Sequence, residues 1–98
     1  MIKIPQTMTR AELEAYKDHP EVNWAADCID SVDGEFTVSK VNEYTEQHGD
    51  EEITVTECVG DTEQYEIRIE FRPNVEGGKT DISAHCIAAS GDFGFGSM

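Results

Sequence analysis

Residues 65–72 read Tyr-Glu-Ile-Arg-Ile-Glu-Phe-Arg, an unbroken alternation of apolar and charged side chains. A strand turns successive side chains to opposite faces, so Tyr65, Ile67, Ile69 and Phe71 share one face. Glu66, Arg68, Glu70 and Arg72 share the other. A helix would scatter the four apolar groups around its axis. The chain must therefore build a sheet with one buried and one solvated face around this segment.

The flanking segments support a meander. Residues 52–59 alternate Ile53, Val55 and Val59 against Thr54, Thr56 and Cys58, with Glu57 the one discordant member. Gly60-Asp61 supplies a turn before the central strand. After it, 73–80 form a glycine-containing connection, and 81–89 a third strand with Ile82, Ala84 and Cys86 on one face.

The first half reads as helical. Thr9-Arg10-Ala11-Glu12 has the spacing of a capping box, in which threonine and glutamate side chains each bond the other's backbone amide. That predicts a first helix over 8–17, ended by Asp18-His19-Pro20 because a residue before proline is pushed out of the α region. Pro20 suits the start of a second helix, where Val22, Ala25, Ile29 and Val32 form one apolar stripe. Trp24 lies beside that stripe as a core or boundary residue, with an exposed anchor as the alternative. Residues 37–48 carry two readings. One is a third helix capped by Thr37 and stopped at Gly49. The other is a hairpin turn at Asp33-Gly34 followed by a strand over 35–38. The continuation to Gly49 favours the helix.

The expected fold is α+β: two or three N-terminal helices packed on a three-stranded antiparallel β-meander, an order that a winged-helix arrangement also fits. A chain of 98 residues makes one domain, here 1–89, followed by a glycine-rich and mobile tail over 90–98. Phe93 and Phe95 are available to pin that tail. No apolar run approaches the roughly 20 residues of a membrane span, and Met1-Ile2-Lys3-Ile4-Pro5 lacks the apolar core of a secretory signal. Cys28, Cys58 and Cys86 are odd in number and widely spaced, which predicts reduced thiols in the cytoplasm and neither a disulfide framework nor a zinc site.

Charge carries the functional argument. The formal net charge is −14, from 21 acidic and 7 basic residues. Between Asp18 and Ile67 stand fifteen acids opposed only by Lys40, while the remainder of the chain is balanced. Self-repulsion on that scale costs stability. Solubility alone explains a general acidity, but it does not explain such localisation.

Catalysis finds no support in the motifs. His19, His48 and His85 form no recognisable nucleophile–base pattern, and no phosphate-binding glycine loop is present. The aspartates Asp27, Asp30 and Asp33 are spaced by three, whereas an EF-hand loop alternates its ligands at positions one, three and five. No enzyme activity, cofactor or metal is expected. Nucleic acid itself is a poor partner for this charge, because its binding rests on lysine and arginine. The expected partner is a basic protein surface such as a nucleic-acid-binding groove. Asp27, Asp30, Asp33, Glu35, Glu43, Glu46, Asp50, Glu51 and Glu52 are the candidate contact residues. Carboxylates three or four apart on a helix, or two apart on a strand, repeat at about 5–7 Å, which suits a row of phosphates.

In size and charge the chain resembles the small acidic DNA-mimic inhibitors that viruses use against restriction, repair or CRISPR enzymes. The resemblance covers length and charge, and no residue is carried over from it. It implies an inhibitor that fills the basic groove of its target in the host cytoplasm. The alternative is a non-catalytic protein–protein adaptor or assembly module that uses a sheet edge or Trp24, with incidental acidity.

Overall fold

The computed structural model describes residues 2–88. Its element order is β1 (Thr7–Thr9), α1 (Arg10–Glu14), a 3-10 turn (Ala15–Asp18), β2 (Val22–Ala25), a second 3-10 turn (Asp27–Ser31), then β3 (Thr37–His48), β4 (Glu51–Asp61), β5 (Tyr65–Asn74) and β6 (Lys79–Ala88). All six strands join one sheet in the order β1-β3-β4-β5-β6-β2. Neighbours are antiparallel except β2, which runs parallel to β6.

This corrects the α+β expectation. The meander β4-β5-β6 is present, but it is the middle of a six-stranded sheet, and 57% of the described residues lie in strands against 16% helical. The capping box at Thr9 is formed, with Thr9 Oγ1 accepting from the Glu12 amide and Glu12 Oε1 accepting from the Thr9 amide. The α-helix it starts is only five residues long, and Met8 belongs to β1.

The second helix does not exist. Val22 is buried, Trp24 half-buried, and Asn23 and Ala25 exposed, a period of two set by the ladder to β6. The Thr80 amide donates to Glu21 O at 2.8 Å on the same side. Ile29 and Val32 reach the core from the second 3-10 turn and its exit. Residues 37–48 form a strand rather than the favoured helix. Ten register pairs with β4 and a content of Thr, Val and Tyr outweigh the helical spacing. The alternative, a strand entered from an Asp33-Gly34 hairpin, has the right conformation but the wrong place: the hairpin turn is Gly49-Asp50, between His48 and Glu51. Gly49 has φ +62°, the left-handed conformation, but as the first residue of a two-residue β-turn and not as a helix stop. Gly60 and Asp61 are also strand and not turn. A Cβ at Gly60 would collide with the Thr37 carbonyl oxygen and with Val38 Cγ1, so close β3–β4 packing requires glycine there.

The covered face of the sheet holds the core. Met8, Val38, Cys58, Ile67, Ile69, Phe71 and Ile82 meet Leu13, Ala26, Ile29, Val32 and Phe36 from α1 and the segment before β3. Arg10 ties this cover together. Its guanidinium donates to the carbonyl oxygens of Ile29, Val32 and Gly34, pairs with Glu14 and lies 5.5 Å from the Phe36 ring centroid.

The opposite face carries no covering element among the described residues. It carries mostly polar side chains, with Ile53 and Val55 buried in β4 and with Val59 and the exposed Ile87 also on it. The alternation of Ile53, Val55 and Val59 against Thr56 and Cys58 is present, but Thr56, Cys58 and Gly60 take the covered side of β4 and Ile53, Val55 and Val59 the open side. Tyr44 and Glu46 lie directly across from Val55 and Ile53 on β3.

Towards the Gly49-Asp50 turn the sheet splits. The β4–β5 ladder ends at Thr56 and Phe71, while each strand runs on. Proline explains the ending. Thr80 points its amide at β2, so its partner Pro73 faces β4, and proline has no N–H to give there. The β3–β4 and β5–β6 hairpins diverge beyond this point, and the body is long, 51 × 26 × 21 Å. The expected boundary at residue 89 and the tail 90–98, with Phe93 and Phe95, lie outside the described residues. No helix among the described residues is long and apolar enough to cross a membrane.

Candidate functional site

The nine carboxylates singled out from the sequence do not form one patch. Their helical spacing is lost with the helices, and the twelve-residue β3 separates them into groups about 40 Å apart at the strand rise. At the far tip, Asp50 sits in the turn, with Glu51 and Glu52 beside it on β4 and Glu46 just before it on β3. At the other end, Asp33 and Glu35 join Thr62, Glu63 and Gln64 around a shallow hollow of about 330 Å³. Asp27 and Asp30 project from the second 3-10 turn, where Asp30 takes an ion pair from Lys17 at 3.1 Å. Glu43 lies between the ends, on the covered side of the sheet, and pairs with Lys40 at 3.3 Å.

The open face supplies acids that the choice of nine missed. Register places Glu57 directly across from Glu70, and Asp61 directly across from Glu66. Like charges in such positions repel. Arg68 answers Glu66 at 2.6 Å, and Arg72 reaches over the face to Glu46 and Glu70. The hydrogen bonds from Arg72 and then from His48 hold the Glu46 carboxyl below its ordinary range. The same bond, accepted by Glu46, raises the Arg72 guanidinium. Asn42 donates to Glu57 at 3.0 Å. A hollow of about 340 Å³ lies on this face between Glu57, Arg68, Glu70, Ser83 and His85. The alternation of 65–72 marked Glu66 and Glu70 as solvated, but their place beside Glu57 and Asp61 depends on register.

The split in the sheet forms the largest cleft described, about 400 Å³, lined by residues of 51–54 on one arm and of 73–80 on the other. Ile53, Pro73 and Val75 give it apolar walls, and Lys79 is its one cation. The outer edge of β3 is a further open feature. β1 covers only Thr37 to Ser39, Gln6 bonds Lys40, and residues 41–48 meet no further strand among those described. Val41, the bulged residue, is 60% exposed. Trp24 is half-buried against the core with the Lys17 ammonium 5.6 Å from its ring.

The histidines are dispersed. His19 Nδ1 accepts from a backbone amide, His48 contacts Glu46, and His85 is exposed beside Arg68 in the ladder. Among the described residues no group of three His, Cys, Asp or Glu is arranged to hold a metal. The arrangement offers long-range negative potential and hydrogen-bond acceptors over a large area, which is binding chemistry. Compared with protein families, curated proteins and solved structures, the chain has no significant match to any of them.

Proposed function

We propose that this protein is an acidic, non-catalytic inhibitor that occupies the basic nucleic-acid groove of a target protein. The observation that carries this reading is where the charge balance fails. Five of the seven bases are drawn into ion pairs on the body. No base among the described residues comes within ion-pair distance of Asp50, Glu51 or Glu52 at one end, or of Asp33, Glu35, Asp61 or Glu63 at the other. Carboxylates thus stand exposed at both ends of a body 51 Å long, with Glu57 and Glu70 on the open face between them. A lysine- and arginine-lined groove would meet carboxylates where it ordinarily meets phosphates. Inhibition follows by exclusion, with no bond made or broken.

The experiment is capture of the target from a host lysate, followed by kinetics and competition with duplex DNA. Association should slow at least tenfold between about 50 and 500 mM salt, over which the Debye length shrinks about threefold. DNA and this protein should exclude one another from the target. Reversing Asp50, Glu51 and Glu52 to Lys should weaken the complex at least tenfold with the far-UV spectrum unchanged. A ternary complex with DNA, or an association rate indifferent to salt, would count against the proposal. The open edge of β3 favours a second reading, an adaptor that adds a partner strand at 41–48. That reading expects salt-insensitive association and loss of binding on Val41→Pro.

A further inference from the structure

The sulfurs of Cys28 and Cys86 lie 3.0 Å apart. Cys28 sits in the second 3-10 turn and Cys86 on β6, which lie 58 positions apart in the chain and pack against one another. Both thiols are free and half-buried, whereas Cys58 is buried in the core. A disulfide is about 2.04 Å long, so a movement of about 1 Å in one side chain closes the gap. The hydrogen bonds give the two sulfurs different parts. Cys28 donates to Ala84 O at 3.4 Å, which leaves Cys86 to donate to Cys28 Sγ. Burial, followed by that hydrogen bond, pushes the Cys86 thiol up to about 12.

We propose that Cys28 and Cys86 are a thiol modification site, closed to a reversible disulfide by small-molecule disulfides of the glutathione type. The Cys28 thiolate attacks one sulfur of the small disulfide, forming a mixed disulfide and releasing one small thiolate. That thiolate takes the Cys86 proton. Cys86 then attacks Cys28 Sγ and expels the second small thiolate, which takes the proton Cys28 gave up on ionising. One small disulfide is reduced to two thiols, and the protein loses two protons and two electrons. The closed bond ties the segment bearing Asp27 and Asp30 to the sheet. It also bridges a long stretch of chain, which restricts the unfolded state.

The inference rests on sulfur geometry and stands apart from the proposed function. The test is to equilibrate the folded full-length protein with reduced and oxidised glutathione, trap remaining thiols by alkylation, and map the peptides by mass. The expected product links Cys28 to Cys86, leaves Cys58 open to alkylation only after unfolding, and reverts on reduction. Its melting temperature should rise on the order of 10 °C. Cys58→Ser should keep the closure, and Cys28→Ser or Cys86→Ser should stop at a mixed disulfide or fail to react. A persistent glutathione adduct on the native chain, a link that includes Cys58, or two thiols that react only after unfolding would each overturn the proposal. The wild-type peptide map decides the matter even where a serine variant folds poorly.

Discussion

The two faces of the sheet solve opposite problems with the same strands. On the covered face Ile67, Ile69 and Phe71 of β5 are almost wholly removed from water, under a thin layer of short turns held by Arg10. On the open face of the same strand, Glu66, Arg68, Glu70 and Arg72 stay in contact with solvent and trade charge with their neighbours. The first face gains stability from area. The second gains little, because exposed ion pairs contribute about 0–1 kcal/mol each, and two of its cross-strand positions set acid against acid. Charge on the open face is therefore not what holds the protein together.

The comparison predicts a wide gap between substitutions three residues apart on one strand. Phe71 is fully buried, and Tyr16 meets its ring edge-on at 6.0 Å between centroids. Phe71→Ala should cost about 3–5 kcal/mol, read as a lower midpoint in urea at constant slope. Arg68→Ala should cost less than about 1 kcal/mol, since its ion pair with Glu66 is exposed. Comparable losses at the two positions would break the distinction between the faces.

The same contrast explains what the sequence made legible. The strand at 65–72 was plain because one face is buried and one is wet, so hydrophobicity alternates with the pleat. β2 and β3 are hidden in the sequence for different reasons. In β2 only four residues alternate, and the apolar groups of the following turn, Ile29 and Val32, happen to extend a helical spacing. In β3, residues 41–48 have no wholly buried side chain, so the strand carries no inward row to show its period. Only its β-branched and aromatic content spoke for a strand. The candidate acids are exposed apart from the half-buried Glu46, but their grouping depends on register and on the bulge at Val41, which no local pattern encodes. In sequence Arg10 is only one of the balanced charges, although three backbone carbonyls far along the chain converge on it.

A smaller effect sharpens the comparison on the open face itself. Glu46 is held below its ordinary value of 4.5 by Arg72 and then His48. A carboxyl depressed by folding contributes stability that is present above its unfolded value and disappears as pH falls through its folded value. Wild type should therefore be slightly more stable than Glu46→Gln at pH 7, and the difference should shrink as pH falls below the ordinary value of 4.5 and through the lowered folded one. Melting temperatures of both proteins between pH 7 and pH 3 measure it. A difference that persists unchanged at pH 3 would mean that Glu46 acts by packing over Ile53 and not by charge.

The smallest effect has the opposite sign. Asp61 is exposed, lies directly across from Glu66, and stands near the turn that carries Glu63. Glu66 already has Arg68 as a partner, so a lysine at position 61 would not have to break that pair to help. Asp61→Lys replaces a repulsive cross-strand pair by an attractive one and should stabilise the protein by roughly 0.2–1 kcal/mol at low salt. The gain should shrink as added salt shortens the Debye length, because both groups are in contact with water. Asp61→Asn, which removes the repulsion without adding attraction, should recover part of it. Urea melts of the three proteins at low and high ionic strength separate the contributions. A destabilised Asp61→Lys, or a gain that does not respond to salt, would show that β4 and β5 are not strained by their facing acids. The open face would then carry its charge without cost, and the argument that this charge is retained for a partner would lose its energetic footing.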